Sequence, residues 1–278
     1  MDKLINGTNW ISFCESEHYI SELLIPGTHD TMTADCQQRY YKTQTLSLKE
    51  QLSYGVRFLD IRLRKEMVAA HREWISHITF DQILKKCGDF LQQNSDEFIL
   101  MRIQNANEKK DDFNEYGSAL LEKISQNLSL FYFWPSNSLG HEDKPQWPKL
   151  KEARGKIIAL ECSPVQFKFS QLENGFWAAN WHQNPNIVLQ DLWDGPNLNQ
   201  KQEVIQHLIQ DSVNIQSDKL ILNHISATNG RLGFPDVYAE YLNQYTKVFW
   251  KKKLGVKGVQ IYDFITPDLA REIFMLNH

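Results

Sequence analysis

Short runs of apolar, often β-branched residues alternate with longer amphipathic segments over nearly the whole chain. The apolar runs lie at 21–27 (SELLIPG), 56–62 (VRFLDIR), 67–71 (MVAAH), 97–103 (EFILMRI), 155–162 (GKIIALEC), 186–191 (NIVLQD), 219–225 (KLILNHI) and 257–264 (KGVQIYDF). Several are nearly continuous in Val, Ile and Leu, as strands buried on both faces require. Between them, 79–94 offers Thr79 as N-cap and places Ile83, Leu84, Cys87, Phe90 and Leu91 at helical spacing; 111–127 and 199–213 behave alike. Segment 266–277 has Thr266 as cap and Pro267 at the first helical position. Strand alternating with helix predicts an α/β fold with a parallel sheet, and about eight strands predict a single, somewhat irregular (β/α)8 barrel of the TIM type. One catalytic barrel domain is expected over residues 1–278, with an N-terminal helix at about 1–20 packed on it. Little separates the second and third strands, so a helix is missing there. Segments 133–155 and 163–186 read as loops, the second rich in aromatics.

With 278 residues, 42% of them hydrophobic, the chain can bury a large core. A net charge of −4 excludes a general electrostatic case for nucleic-acid binding, and the short basic run from Lys251 to Lys253 reads as a solvated helix end. Cys14, Cys36, Cys87 and Cys162 form no CxxC pair and no zinc-ligand spacing, so reduced thiols and no zinc site are expected, and no cofactor is called for. The first residues lack a signal-like apolar stretch, and no run is long enough to span a bilayer. The default location is therefore the cytoplasm, with peripheral action on membranes after signal-independent export as the alternative. No feature specifies an oligomeric state.

In parallel barrels, chemistry gathers at the carboxyl ends of the strands. His29 and Asp30 follow the first strand, Asp60 and Arg62 close the second, His71 the third, Asp191 the sixth and Asp263 the eighth. Each has a bland reading: a lone histidine at a strand end is more often structural, and Asp-x-Arg more often an ion pair. Together on one rim, two imidazoles, carboxylates and a guanidinium suit phosphodiester cleavage, which needs a base, an acid and a fixed cation for the phosphate. His18, His141, His182 and His207 read as surface or structural, and His224 on the seventh strand as one further candidate.

IPGTHDTM followed by YGVRFLDIRLR and a strand ending in His71 resembles the X domain of phosphatidylinositol-specific phospholipase C, in its small bacterial form. FLQQNSDEFILMRI, ARGKIIAL, NIVLQD and GVQIYDFI extend the resemblance over nearly the whole chain from about residue 20. It implies an imperfect (β/α) barrel and cleavage of phosphatidylinositol or a related glycerophospholipid, through a cyclic inositol phosphate if the head group is inositol. By matching position, His29 is the expected general base and Asp263 its orienting carboxylate. His71, assisted by Asp30, is the expected general acid, while Arg62 grips the phosphoryl oxygens and Asp60 holds the arginine. Arg62 stands where eukaryotic members carry calcium, so metal-independent cleavage is implied. Among head-group positions, Asp191 and Trp193 match a carboxylate and an aromatic residue that hold the ring. Gln104, Ala106 and Cys162 fall where a lysine, a glutamate and an arginine are expected. Acyl chains imply a membrane surface as partner, with Tyr40, Tyr41 and Phe234 as candidate contacts in 37–44 and the rim loop 226–238. Two alternatives stay open: a phosphodiesterase of the same barrel type with another head group, deacylated glycerophosphodiesters included, and a lipid-binding module without turnover.

Overall fold

The apolar runs become β-strands in a computed structural model that describes residues 4–136, 147–251 and 255–278; His141, Lys252 and Lys253 lie outside the described residues. The main sheet contains β1 (Leu24–Thr28), β2 (Phe58–Leu63), β3 (Val68–His71), β4 (Trp74–Thr79), β5 (Ile99–Asn105), β6 (Ile157–Glu161), β7 (Ala178–Asn180), β8 (Ile187–Gln190), β9 (Leu220–His224) and β10 (Gly258–Tyr262). Its neighbours run β7-β6-β5-β2-β1-β10-β9-β8, every adjacent pair parallel. This is a curled (β/α) barrel wall. Among the described residues β7 and β8 do not pair, so the wall is open at one seam.

Two strand expectations change. The run 67–71 is not a barrel stave: β3 pairs antiparallel with β2, Leu63 opposite Ala69, and with β4. Only residues 64–67 join β2 to β3, whereas a parallel crossover needs about a dozen residues or more. The remaining stave is β7, inside the segment read as loop, where Ala-Ala-Asn is too short to reveal a period. The helix expected at about 1–20 is replaced by two 3-10 turns, Trp10–Phe13 and Ile20–Glu22. Local side-chain bonds compete with helix there: the Asn6 side chain accepts from Thr8 N at 2.8 Å and that of Asn9 from Asn6 N at 2.8 Å.

The outer layer holds α1 (Leu48–Ser53), α2 (Phe80–Gln93), α3 (Phe113–Gln126), α4 (Leu198–Asp211), α5 (Pro235–Trp250) and α6 (Pro267–Phe274). The predicted caps form: Thr79 Oγ1 accepts from Gln82 N and Thr266 Oγ1 from Leu269 N, each at 3.3 Å. Helix α5 starts inside the segment read as a rim loop, with Pro235 in its first turn.

Side chains alternate across the wall with period two. Leu24, Leu59, Met101 and Tyr262 face the helices, whereas Ile25, Phe58, Leu100, Ile158, Leu220, Val259 and Ile261 pack with one another and with Trp10 and Ile11 inside. Gly27 belongs to that inner face. A Cβ on it would sit 2.9 Å from Phe58 Cβ and 3.1 Å from Val259 Cγ1, so only glycine lets β1 approach its neighbours here.

The N-terminal turns are pinned at the apolar end. Arg57, fully buried, donates to Glu97 Oε2 from Nε at 2.9 Å and Nη2 at 2.7 Å, while Glu97 Oε1 accepts from Ile11 N and Ser12 N at 2.9 and 3.2 Å. Glu97→Ala strands a buried guanidinium and should lower the unfolding free energy by about 3–5 kcal/mol in urea denaturation. A loss below about 1 kcal/mol would show the pair to be dispensable.

Candidate active site

Continuing the inner-face alternation past the apolar layers leads to the polar mouth. Ile25 and Gly27 lead to His29, Phe58 to Asp60 and Arg62, Leu100 to Arg102 and Gln104, Leu160 to Cys162, Leu222 to His224, and Ile261 to Asp263. A cavity of about 180 Å³ opens among them, lined by His29, Arg62, His71, Arg102, Gln104 and Asp191 with Trp193 and Asp263.

His29 Nδ1 donates to Asp263 Oδ1 at 2.8 Å, and its Nε2 accepts from Arg62 Nη2 at 2.8 Å. These two bonds define the tautomer, with the proton on Nδ1 and the lone pair of Nε2 facing the cavity. Burial, aided by the Arg62 charge, holds the imidazole well below its usual value, so it is neutral at neutral pH. Burial and the nearby Asp30 raise Asp263, so this pair holds one proton between its members.

The loop after β1 is tightly fixed. Gln44 Nε2 donates to His29 O at 2.9 Å and Tyr262 O at 2.8 Å, and Thr43 Oγ1 donates to His29 O at 3.1 Å. Asp30 has φ 42°, a left-handed conformation that aspartate tolerates better than most residues. Its own N–H donates to Asp60 Oδ2 at 3.1 Å. That turn aims the Asp30 carboxylate between two rings: Oδ2 lies 3.2 Å from His29 Nε2 and 3.1 Å from His71 Nε2. The two imidazole centroids are 6.2 Å apart and nearly perpendicular, at 77°.

His71 reaches this place because the β3 hairpin folds back over the wall. Its Nδ1 donates to Tyr41 O at 2.7 Å, leaving Nε2 to share a proton with Asp30. Burial lifts Asp30 to about 7, and burial with the Arg62 charge lowers His71 to about 3. Near neutrality the pair therefore keeps one exchangeable proton beside a ring that can deliver it.

Arg62 joins both halves. Its Nε lies 2.6 Å from Asp30 Oδ1 and its Nη2 3.1 Å from Asp60 Oδ2. Burial opposes its charge, yet the two carboxylates hold it more firmly protonated than usual. Against its own burial, Asp60 is kept far below the usual carboxylate range by Arg62 and Arg102. His29, Asp30 and Asp60 offer ligand atoms within 4.8 Å of one another, a spacing that could hold a cation, and the Arg62 guanidinium contacts all three. The arrangement can take a proton at one imidazole, supply one at the other, and neutralise an anion between them.

The remaining candidates divide. Gln104, Asp191 and Trp193 line the cavity, and Gln104 Oε1 has no hydrogen-bond partner among the described residues. His224 lies just beneath, its centroid 5.8 Å from that of His29 and its Nδ1 3.8 Å from Asp191 Oδ1. Cys162 does not line the cavity; it is buried and its Sγ accepts from Arg102 Nε at 3.2 Å. Tyr40, Tyr41 and Phe234 cluster at the mouth, with ring centroids 5.5 Å apart for the tyrosines and 6.3 Å for Tyr40 and Phe234. Sequence reasoning missed Arg102 and Arg72, which line the cavity, and Thr43 and Gln44, which hold the His29 carbonyl. The available signal for Arg102 was its place two residues before Gln104, on the same face of one strand.

The family model described as PI-PLC X matches residues 13–163. The 1-phosphatidylinositol phosphodiesterase of Listeria monocytogenes serovar 1/2a is 31% identical over 284 residues, covering 96% of this chain and 84% of that protein. The enzyme of the same description from Staphylococcus aureus strain Newman is 24% identical over 263 residues, covering 84% and 80%. Among solved structures, phosphatidylinositol-specific phospholipase C from Listeria monocytogenes superposes with a TM-score of 0.87 at 26% identity, over 99% of this chain and 100% of that one. A Staphylococcus aureus phosphatidylinositol-specific phospholipase C gives 0.78 at 22% identity over 98% of both chains, a likeness of fold. With a family model spanning more than half its length and a relative 31% identical over 96% of it, this chain belongs to the PI-PLC X family of phosphatidylinositol-specific phospholipases C.

Proposed function

We propose that this protein is a phospholipase C that cleaves phosphatidylinositol by intramolecular attack, with its 278 residues forming one catalytic barrel domain. His29 Nε2 takes the proton of the inositol 2-hydroxyl as that oxygen bonds to phosphorus. The bond from phosphorus to the glycerol oxygen breaks, and His71 protonates the departing diacylglycerol. Asp263 supports the imidazolium formed at His29, as a carboxylate does in a nucleophile–base–carboxylate triad. Arg62 neutralises the phosphoryl oxygens, and Asp60 holds that guanidinium in place. The observation that carries this reading is the shared contact of Asp30 Oδ2 with both imidazoles, which sets base and acid on either side of one ester-sized gap.

The mouth fits a bilayer-bound substrate. Trp193 and Phe234 are exposed beside Tyr40 and Tyr41, and Arg39 lies 4.3 Å over the Phe234 ring. Among the described residues no helix is long and apolar enough to cross a membrane, which suits peripheral docking of the rim on a lipid surface. Arg62 supplies the positive charge at the phosphate, so turnover needs no divalent cation.

The test is a panel of vesicles containing phosphatidylinositol, its phosphorylated forms, phosphatidylcholine or phosphatidylglycerol, incubated with the protein in excess EDTA. Release of water-soluble inositol phosphate from phosphatidylinositol is the expected result. Release of another head group alone, or turnover that EDTA abolishes and calcium restores, would contradict the proposal.

A further inference from the structure

Arg102 lines the cavity from β5, beside Asp60 on the neighbouring β2, and its surroundings leave most of its donors unused. The side chain is 9% exposed, and the residue lines the cavity. Of its five N–H groups, the one on Nε goes to Cys162 Sγ at 3.2 Å, a weak acceptor. Nη1 lies 3.6 Å from Asp60 Oδ1, an ion-pair contact beyond hydrogen-bond length, and that oxygen has no hydrogen-bond partner among the described residues. Among the described residues neither Nη makes a hydrogen bond. A counter-ion for Asp60 needs no such geometry, and a guanidinium this buried with one thiol acceptor is under-satisfied.

The neighbouring atoms say what completes it. Gln104 Oε1 and His224 Nε2 are buried and unpartnered among the described residues, and Asp191 lines the same cavity. Burial, with a contribution from the Arg102 charge, lowers His224 to about 4, so its ring is neutral. Gln104 and Asp191 thus share the cavity with the open donors of Arg102, and His224 lies behind it. A phosphate would be repelled by Asp191 and would leave the acceptors unpaired. A hydroxyl both accepts and donates, and so satisfies both sets at once. The guanidinium is held ready by Trp181, whose ring lies 4.0 Å from Cζ, and by the Cys162 thiol, which burial keeps protonated by raising it to about 12.

We infer that Arg102 is the cation that reads the head group of this site, donating from its Nη groups to adjacent hydroxyls of a cyclitol ring, with Cys162 and Trp181 as its positioning residues. The inference rests on the phosphodiesterase reading for the identity of that ring. It reassigns Cys162 from substrate contact to support, and it supplies a cation to a head-group pocket where Gln104 is neutral.

The test measures myo-inositol affinity by titration, without turnover, for the wild type, Arg102→Met and Arg102→Lys, beside kcat and KM on phosphatidylinositol vesicles. Arg102→Met should weaken myo-inositol at least tenfold and raise KM by a similar factor, with a smaller change in kcat and no change in affinity for inorganic phosphate. Arg102→Lys keeps charge but not the planar fork, and should lose about threefold to tenfold. If the Met variant does not fold, the Lys variant alone decides. Unchanged myo-inositol affinity in a folded variant, a loss confined to kcat, or no binding of myo-inositol by the wild type would overturn the inference. Wild-type binding of myo-inositol that depends on Arg102, without product from phosphatidylinositol, would uphold it while refuting the phospholipase reading.

Discussion

His29→Ala is expected to lower kcat on phosphatidylinositol by about 10³-fold or more, with the fold intact. General-base catalysis is usually worth about 10²–10⁴-fold, and in the proposed mechanism the same ring also orients the attacking hydroxyl. The effect can be separated from unfolding because the site tolerates the loss. The His29 backbone is held by Thr43 and Gln44 rather than by its ring, and Asp263, already raised by burial, can take a proton when its partner disappears. The melting temperature should therefore stay close to that of the wild type. The pH profile gives a second signature. Since His29 is held well below its usual value, the acid limb of the wild-type kcat/KM, where the base becomes protonated, should lie below about 6.5. That limb should vanish from the residual activity of the variant. Unaltered kcat, or an unchanged acid limb in the variant, would remove His29 from the base role.

Arg62 should be nearly as costly to lose, and for two reasons that can be measured apart. Removing one donor to a developing anion typically costs about 10²–10³-fold in kcat, and this donor carries a full charge. In addition, Asp30 and Asp60 are both buried and lie 2.6 and 3.1 Å from the guanidinium, so Arg62→Ala leaves two carboxylates facing one another with only the more distant Arg102 near. A stability loss of about 3–5 kcal/mol is expected from that uncompensated charge. Arg62→Lys separates the two effects. A compact ammonium can hold one carboxylate but cannot span Asp30, Asp60 and His29 together. It should recover much of the stability and little of the rate. A lysine variant with wild-type kcat would show that simple charge suffices and that the bridging geometry is incidental. Because Arg62 also donates to His29 Nε2, the proposed mechanism requires an arriving phosphate to draw the guanidinium away and free the base's lone pair.

Much of the barrel could be read from the sequence because seven staves carry apolar runs long enough to show themselves. The eighth, Ala178–Asn180, has three small or polar residues and no period to detect. The run that took its place, 67–71, is as apolar as a stave but too close to β2 to cross over, and the connection length identifies it as a hairpin. The polar rim was legible where a charge interrupts an apolar strand near its end, as at Asp60, Arg62 and Asp263. Arg102 was hidden by the same logic: it lies inside the apolar stretch ILMRI and reads as part of a buried strand. Strict alternation from Leu100 would have placed it on the inner face. Thr43 and Gln44 could not be found from pattern, since their work is done through backbone carbonyls brought together only by the fold. Cys162 was placed at the head group by matching position alone, and the fold instead sets its thiol behind a neighbouring guanidinium.

The most direct measurement is phosphorus NMR of the first product formed from phosphatidylinositol by the wild type in EDTA. Two imidazoles on either side of one phosphorus, with the nucleophile drawn from the substrate itself, predict a five-membered inositol 1,2-cyclic phosphate as the initial product. An open-chain inositol phosphate appearing first, with solvent oxygen already in its phosphate, would contradict the account.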